Sequence, residues 1–366
     1  MTYRYLLALC LSILITSVAV AVEITNPYAA VDWQWHQHRA NLHTHTTESD
    51  GRWSPARTID AYHELGYTIL ALTDHNRVTY PWSEFDRDPE DLDMLAVQGN
   101  ELSRGHHVGS YFSDNRAGQG LEGNVAEVGE AGGIAVVFHP GRYTRRNQYD
   151  VDDYVALYRE HPHAVGIEIV NQRDRYPEDR DTWDAILTRL MPERPVWGLA
   201  NDDFHRPNHL GYSWTVFPLP QLTLERFREA MVGGAFYSVA RDMTRSEQRD
   251  EDMMPPAIRS ITVEDRTITI DAEDAEGIVW IAAGEKVHRG PSVQVRPVPD
   301  LPGYVRAEFY NPGGTTYTNP FGLRREPRGP RRDGREFIAP PDEAVERAAV
   351  SARQARDSNP KESEHE

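Results

Sequence analysis

The chain has 366 residues, 39% of them apolar, with 8 Trp, 17 Tyr and 10 Phe, which is enough material for a sizeable core and argues against wholesale disorder. Its net charge of −18 repels nucleic acid and anionic lipid at long range, and no basic run in the middle of the chain offsets that, so no nucleic-acid partner is expected. The single cysteine, Cys10, lies in an N-terminal segment expected to be removed, so the mature chain has no thiol for a disulfide or a Cys-type zinc site.

That segment, residues 1–21, reads as a secretory signal. Arg4 supplies a positive charge, residues 6–20 form an apolar run short of a spanning helix, and Ala19-Val20-Ala21 is a small-residue cleavage pattern. An exported protein with no stable membrane insertion after cleavage is therefore expected. An α/β domain then spans residues 36–245. Residues 54–65 read as a helix with Ser54 as N-cap and Pro55 in the first turn. Residues 67–72 (YTILAL) read as a buried strand ending in Thr73-Asp74-His75. Further strands are expected at 94–97, ending near Glu101, at 134–138 (IAVVF), ending in His139-Pro140, at 165–170, ending in Asn171, and at 196–200, ending in Asn201-Asp202-Asp203. Helices are expected at 151–160, 182–190 and 224–232, the last ended by Gly233-Gly234.

Strand alternating with helix is the pattern of a parallel α/β fold, and in barrel-like versions the site forms at the carboxyl ends of the strands. After about residue 255 the pattern becomes short and alternating, at 258–270, 278–282 and 304–310. That predicts a small antiparallel β unit over 255–323. Residues 324–366 are rich in Pro, Arg and Glu and read as a disordered tail with a short helix near 343–356.

The chemistry lies at the strand ends. His43-Thr44-His45 puts two imidazoles at i and i+2, on one face if the segment is extended. Alone, such a pair is more often two ordinary histidines. Here Asp50, His75, Glu101, His106, His107, His139, Asp203 and His205 follow at or near successive strand ends, and loops open to water could equally use Lys, Ser or Gln. Imidazole and carboxylate donors suit Zn, Mn or Fe. A metal ion lowers the pKa of bound water from about 15.7 to about 7, so no nucleophilic Ser or Cys is needed. Arg142 reads as a phosphate clamp or an ordinary loop arginine, and Asn171 as a substrate ligand or a strand cap.

His43-Thr44-His45, Ser49-Asp50-Gly51, Leu72-Thr73-Asp74-His75-Asn76, Gly99-Asn100-Glu101, His139-Pro140 and Asp202-Asp203-Phe204-His205 resemble the motifs of the PHP (polymerase and histidinol phosphatase) family, over roughly residues 38–240. The elements at Gly105-His106 and 168–171 look most like the branch with carbamate hydrolases and phosphodiesterases. The resemblance implies a distorted (β/α)7 TIM-like barrel with two or three divalent metal ions. Carried over, His43, His45, Glu101 and Asp203 would hold one ion. Glu101 would bridge to a second, held also by His106 and His139, and Asp50, His75 and His205 would hold a third. His106 is preferred to His107 on its His-x-x-Gly spacing to Gly109. Asp203 or His205 is expected to handle protons. The expected function is phosphoesterase action on a small phosphomonoester or phosphodiester. The alternatives are carbamate, amide or ester hydrolysis at the same centre, or metal binding without catalysis.

Overall fold

The computed structural model describes residues 22–115, 119–241 and 253–325. The expected signal segment and the expected tail helix lie outside the described residues.

The chain opens with β1 (Val22–Thr25) and β2 (His36–Asn41), then α1 (Pro55–Glu64). The Ser54 side chain accepts the Arg57 N–H, and the helix buries Pro55, Thr58, Ile59 and Tyr62. Two minimal strands follow, β3 (Ile69–Leu70) and β4 (Leu95–Ala96), each inside a longer apolar stretch expected from the sequence. The next strands, β5 (Gly99–Leu102) and β6 (Val108–Tyr111), and helix α2 (Gly120–Glu130), carry no clear periodic signal. The two strands are four residues long and bury Asn100, Glu101 and Ser110 alongside apolar neighbours, so alternation is absent. Then come β7 (Ile134–Val137), the single turn α3 (Gly141–Thr144), α4 (Val151–Glu160) and β8 (Ala164–Asn171). They are followed by α5 (Glu178–Leu190), β9 (Trp197–Asn201), β10 (Ser213–Leu219), α6 (Leu224–Gly233) and β11 (Tyr237–Arg241). α4 begins with a reciprocal Asp150–Asp153 capping box, and α6 ends where Gly234 turns left-handed at φ 75°.

These strands form two sheets rather than a closed ring. β2, β3 and β4 pair in parallel, and β2 pairs antiparallel with β10, which pairs with β11. The second sheet runs β5-β6-β7-β8-β9, with β6 antiparallel to both neighbours and β7, β8 and β9 parallel. The sheets touch through single bridges, Thr44 to Phe204 and His75 to Glu101. Among the described residues, then, the expected seven-stranded barrel is not closed by continuous hydrogen bonding. The carboxyl ends of β2, β3, β5, β7, β8 and β9 nonetheless open on one side. Because β6 runs the opposite way, the residue before it, His107, lies at that same end.

The C-terminal strands are β12 (Ala257–Glu264), β13 (Thr267–Glu273), β14 (Gly277–Ala282), β15 (Glu285–Arg289), β16 (Ser292–Gln294), β17 (Tyr304–Asn311), β18 (Gly314–Thr318) and β19 (Phe321–Arg325). They are antiparallel, as expected, but they do not stand apart. β12, β13 and β16 make a three-stranded sheet, whereas β18 pairs with β11 and so extends the first sheet. β1 pairs with β19 on its far side.

A buried ion pair fastens this extension to the helical layer. Arg306 of β17, 1% exposed, places Nε 2.8 Å and Nη2 2.5 Å from the two oxygens of Asp184 on α5. Removing Asp184 leaves buried Arg306 with Glu308 alone, and removing Arg306 leaves the Asp184 carboxylate with only the Tyr304 hydroxyl as a side-chain donor. Arg306→Met or Asp184→Leu should each lower stability by about 3–5 kcal/mol in denaturant unfolding, while the double variant should recover much of the loss. Additive losses would show that the pair is not coupled.

Candidate metal centre

β2 runs into the Asn41–His45 segment, whose path is fixed on both sides. The His45 N–H donates to the Phe204 carbonyl at 2.9 Å, and the Thr73 N–H to the Thr44 carbonyl at 2.7 Å. The following turn is held by buried Asp74, which accepts from Thr46 N, Thr46 Oγ1, Ser49 Oγ and Thr79 Oγ1 at 2.6–2.8 Å. Gly51 closes it, since a Cβ there would lie 2.4 Å from the His45 carbonyl oxygen. Asp202 plays the same part on the opposite strand. It accepts from the backbone of Gly211, Tyr212 and Ser213 and from the Tyr62 hydroxyl, all at 2.6–3.0 Å. Burial raises its pKa to about 6, with those N–H donors pulling the other way.

Between these two anchors the imidazoles and carboxylates converge. His43 Nε2 lies 3.1 Å from His45 Nε2, 3.3 Å from Glu101 Oε1 and 3.3 Å from Asp203 Oδ1. His45 Nε2 is 3.2 Å from Glu101 Oε2 and 3.3 Å from Asp203 Oδ1. Glu101 also faces His75 Nδ1 at 2.9 Å, His107 Nδ1 at 2.7 Å and His139 Nε2 at 3.3 Å. Asp50 lies to the other side, 3.5 Å from His45 Nδ1, 3.6 Å from His75 Nε2 and 3.3 Å from His205 Nε2. The geometry therefore gathers His43, His45, Asp50, His75, Glu101, His139, Asp203 and His205, all expected from the sequence.

His106 is the exception. It points away, with Nε2 2.8 Å from the Tyr154 hydroxyl, Nδ1 2.9 Å from the His107 carbonyl and its ring stacked on Tyr143 at 3.8 Å. Its neighbour His107 faces Glu101 instead. The spacing to Gly109 misleads because Gly109 is small for another reason. A Cβ there would lie 2.3 Å from the Phe138 ring, which itself stacks on His43 at 3.8 Å. Asn171 is also displaced. It is fully buried and donates to Glu168 Oε2 at 2.9 Å, so it lies behind the cluster rather than at its opening. Arg142 does line the opening.

Sequence reasoning did not single out Glu168 as a supporting group. It is fully buried and uses both oxygens: Oε1 meets His43 Nδ1 and Asn201 Nδ2, and Oε2 accepts from His139 N–H and Asn171 Nδ2, each at 2.9 Å. With its Nδ1–H given to Glu168, His43 turns the Nε2 lone pair into the cluster, the arrangement by which carboxylates orient metal-binding histidines. An acid inside a hydrophobic strand is the signal that marks it.

The donors fit a divalent cation. Glu101 Oε2, Asp203 Oδ1, His75 Nδ1 and His139 Nδ1 are buried and make no well-aligned hydrogen bond, although the first three lie 2.9–3.3 Å from nitrogen or oxygen atoms of the cluster. Two groupings of possible ligand atoms share His45. One comprises His43, His45 and Glu101, and the other His45, Asp50, His75 and His205. His43 with His139 and Asp203, and His75 with Glu101 and His107, overlap them. The backbone bends to present these groups: His139 at φ 30° and Asp203 at φ 44° occupy the left-handed region that non-glycine residues avoid. Electrostatics agree. Burial alone would raise the carboxyls of Glu101 and Asp203, but His43 and its neighbours pull both well below the usual range. Burial alone would lower His43, but Asp203, Glu168 and Glu101 lift it well above its ordinary value. The same balance lifts His75 to about 10, with Asp50 and Glu101 as the raising partners.

The cluster floors a cavity of about 210 Å³ whose wall includes Arg142, Gln172, Arg175, Tyr176 and Arg206. A larger hollow of about 580 Å³ beside Tyr149, Asp150 and Thr182 contains none of the clustered groups.

No protein-family model matches the chain, and no curated protein does. Among solved structures it is similar to a two-domain protein from Bacteroides vulgatus that contains a predicted PHP-like metal-dependent phosphoesterase. The two are 16% identical, the match covers 82% of this chain and 98% of that one, and the TM-score is 0.46. It is also similar to the lesion-specific endonuclease PfuEndoQ from Pyrococcus furiosus, at 14% identity, covering 60% and 62% of the two chains with a TM-score of 0.42. An amidohydrolase from Chromobacterium violaceum is 19% identical over 53% of this chain and 96% of its own, with a TM-score of 0.38. At these identities and scores the reading of the site rests on its own geometry.

That geometry sets how the centre responds to pH. In the metal-free protein, histidines with raised pKa values stabilise the fold fully below about pH 6.5, and that contribution is lost as pH rises through the folded value, about 10 for His75. The melting temperature of the metal-free protein should therefore fall between pH 7 and 10. Added Mn or Zn should raise it more at pH 9 than at pH 6, because binding needs neutral imidazoles. Equal metal-induced shifts at both pH values would contradict this. Separately, Glu168→Gln should weaken metal binding by about 10–100-fold in calorimetry. His107→Ala should weaken it as well, whereas His106→Phe should leave it near wild type.

Proposed function

We propose that the chain is an exported metal-dependent phosphoesterase that hydrolyses a small phosphomonoester or phosphodiester. The observation that carries this reading is the convergence of buried imidazole and carboxylate atoms, several without a well-aligned hydrogen bond, beneath a small cavity with arginines on its wall. Two or three divalent ions, Zn, Mn or Fe, would be held by His43, His45, Glu101, His107, His139 and Asp203 and, toward solvent, by Asp50, His75 and His205. When bound, such ions polarise a phosphoryl oxygen and lower the pKa of water.

The remaining steps belong to the chain's own residues. Glu168 fixes the ring of His43, and Phe138 stacked on that ring keeps water from its buried face. Arg142 stands on the cavity wall, where a guanidinium can hold two oxygens of a phosphoryl group at once. Asp203 Oδ1 is buried and turned into the cluster, which suits it to donate lone pairs. His205 is 21% exposed on its side chain, and its Nδ1 is held 2.9 Å from the Asp203 carbonyl. Its Nε2 lies 3.3 Å from Asp50 Oδ2; with the outer ion bound it would be a ligand, and without that ion it can carry a proton to a departing alkoxide. Export is supported by the apolar run and the Ala19-Val20-Ala21 pattern. Among the described residues no helix is long and apolar enough to cross a membrane.

The test is to load the purified chain with Mn or Zn and measure hydrolysis of p-nitrophenyl phosphate, bis-p-nitrophenyl phosphate, p-nitrophenyl acetate and a p-nitrophenyl carbamate. One or both phosphate esters should turn over only with metal, and His43→Ala or Asp203→Ala should reduce the rate by at least about 100-fold. Turnover of the acetate or carbamate alone would replace the proposal with carbonyl hydrolysis.

A further inference from the structure

The segment after β8 has an unusual backbone. Gln172, Arg173 and Asp174 have φ of 43°, 60° and 56°, three successive non-glycine residues in the left-handed region. Single residues visit that region, and runs of L-residues avoid it because each Cβ crowds the following carbonyl. Here the surroundings hold the run in place. The Arg175 N–H donates to the Asn171 carbonyl at 3.0 Å, and Arg180 grips both oxygens of Asp174 at 2.6 and 2.9 Å. Arg173 lies over the Tyr212 ring at 4.3 Å. Strain secured from several directions is typical of segments that present groups to a ligand.

What this turn presents is Gln172 and Arg175, both on the wall of the cavity above the cluster, with Arg206 and Arg142 on the same wall. These arginines are not neutralised by the protein. Among the described residues Arg142 and Arg206 have no carboxylate partner, and the side-chain hydrogen bond of Arg175 goes to the neutral Gln172 Oε1 at 2.6 Å. Elsewhere Arg87, Arg180 and Arg306 are paired with acids. In a chain of net charge −18, these arginines gather at one opening, above the carboxylates of Asp50, Glu101 and Asp203, and offer positive charge to an entering anion. One phosphoryl group seated on the cluster and clamped by Arg142 would leave Arg175 and Arg206 without a partner.

We propose that Arg175 and Arg206, the first presented by the left-handed turn at 172–174, recognise a second oxyanion, carboxylate or phosphate, on the same small phosphate ester. The inference rests on the phosphoesterase reading for the identity of the first group. Its test uses non-hydrolysable probes matched in chain length: propylphosphonate, 3-phosphonopropionate and ethane-1,2-bisphosphonate, the last two placing a second acid group three bonds from the first phosphorus. Calorimetry on the Mn-loaded protein should show at least one probe with a second acid group binding about tenfold tighter than propylphosphonate, and the better of the two identifies the oxyanion. That ratio should fall toward one in the Arg175→Met/Arg206→Met double variant. Arg173→Val, which cannot adopt the left-handed turn without strain, should also lower it, and Arg173→Gly should keep it, with thermal melting confirming that each variant folds. A wild-type ratio near one, or a ratio unchanged in the double variant, overturns the proposal. Turnover of both p-nitrophenyl phosphate and bis-p-nitrophenyl phosphate is measured alongside. If it is absent while the ratio behaves as described, the hydrolase reading fails and the recognition of paired oxyanions stands.

Discussion

Everything at this site depends on the burial of Glu101. A carboxylate removed from water costs several kcal/mol unless positive charge or hydrogen-bond donors replace the lost hydration. Glu101 is 1% exposed, and His43, His45, His75, His107 and His139 surround its two oxygens. Neutral imidazoles can satisfy that carboxylate only by donating their N–H groups to it, and their ring nitrogens also face one another. Either protons or a cation must fill the space. The orphaned atoms of Glu101, Asp203, His75 and His139 mark where the proton-filled arrangement falls short.

The fold makes that concentration of charge tolerable by locating it at a seam. Glu101 belongs to one sheet and His43 to the end of a strand in the other, and the two sheets meet through isolated bridges rather than a continuous ladder. Continuous pairing would bring the backbones together and leave less room for side chains. Around the seam sit three carboxylates that hold the backbone in shape. Asp74 ties the turn after His45, Asp202 ties the strand before Asp203, and Glu168 ties His43 to His139. Each is surrounded by donors, so each stays buried without needing a cation. The chain thus separates satisfied acids, which hold shape, from unsatisfied ones, which offer lone pairs.

Much of this was legible in the sequence because strand ends carry strong signals. Long apolar runs such as Ile134–Val137 announced their strands, and the polar residues behind them announced the shared edge. Capped helices were equally plain, α4 falling over Val151–Glu160 as expected. Short strands with buried polar residues were not legible: β5 and β6 lack alternation, and β6 reverses direction. That reversal matters, because which of His106 and His107 turns inward depends on the facing of a strand that the sequence does not announce. Gly109 looked like part of a ligand spacing and is instead the space into which Phe138 packs. Glu168 and the left-handed turn at 172–174 were hidden for the same reason, since their roles lie in contacts far along the chain. The C-terminal strands show their antiparallel pairing in short alternating runs, but the β11–β18 pairing that makes them part of the first sheet is long-range.

A crystal structure of the chain grown with Mn or Zn, recorded at that metal's absorption edge, would probe the centre without relying on any substrate. Anomalous peaks are expected about 2.0–2.3 Å from His43 Nε2, His45 and the oxygens of Glu101 and Asp203, with His107 among the ligands and His106 still against Tyr154. A cluster free of metal under saturating conditions, or ions held only by groups elsewhere on the molecule, would contradict a metal centre built around Glu101.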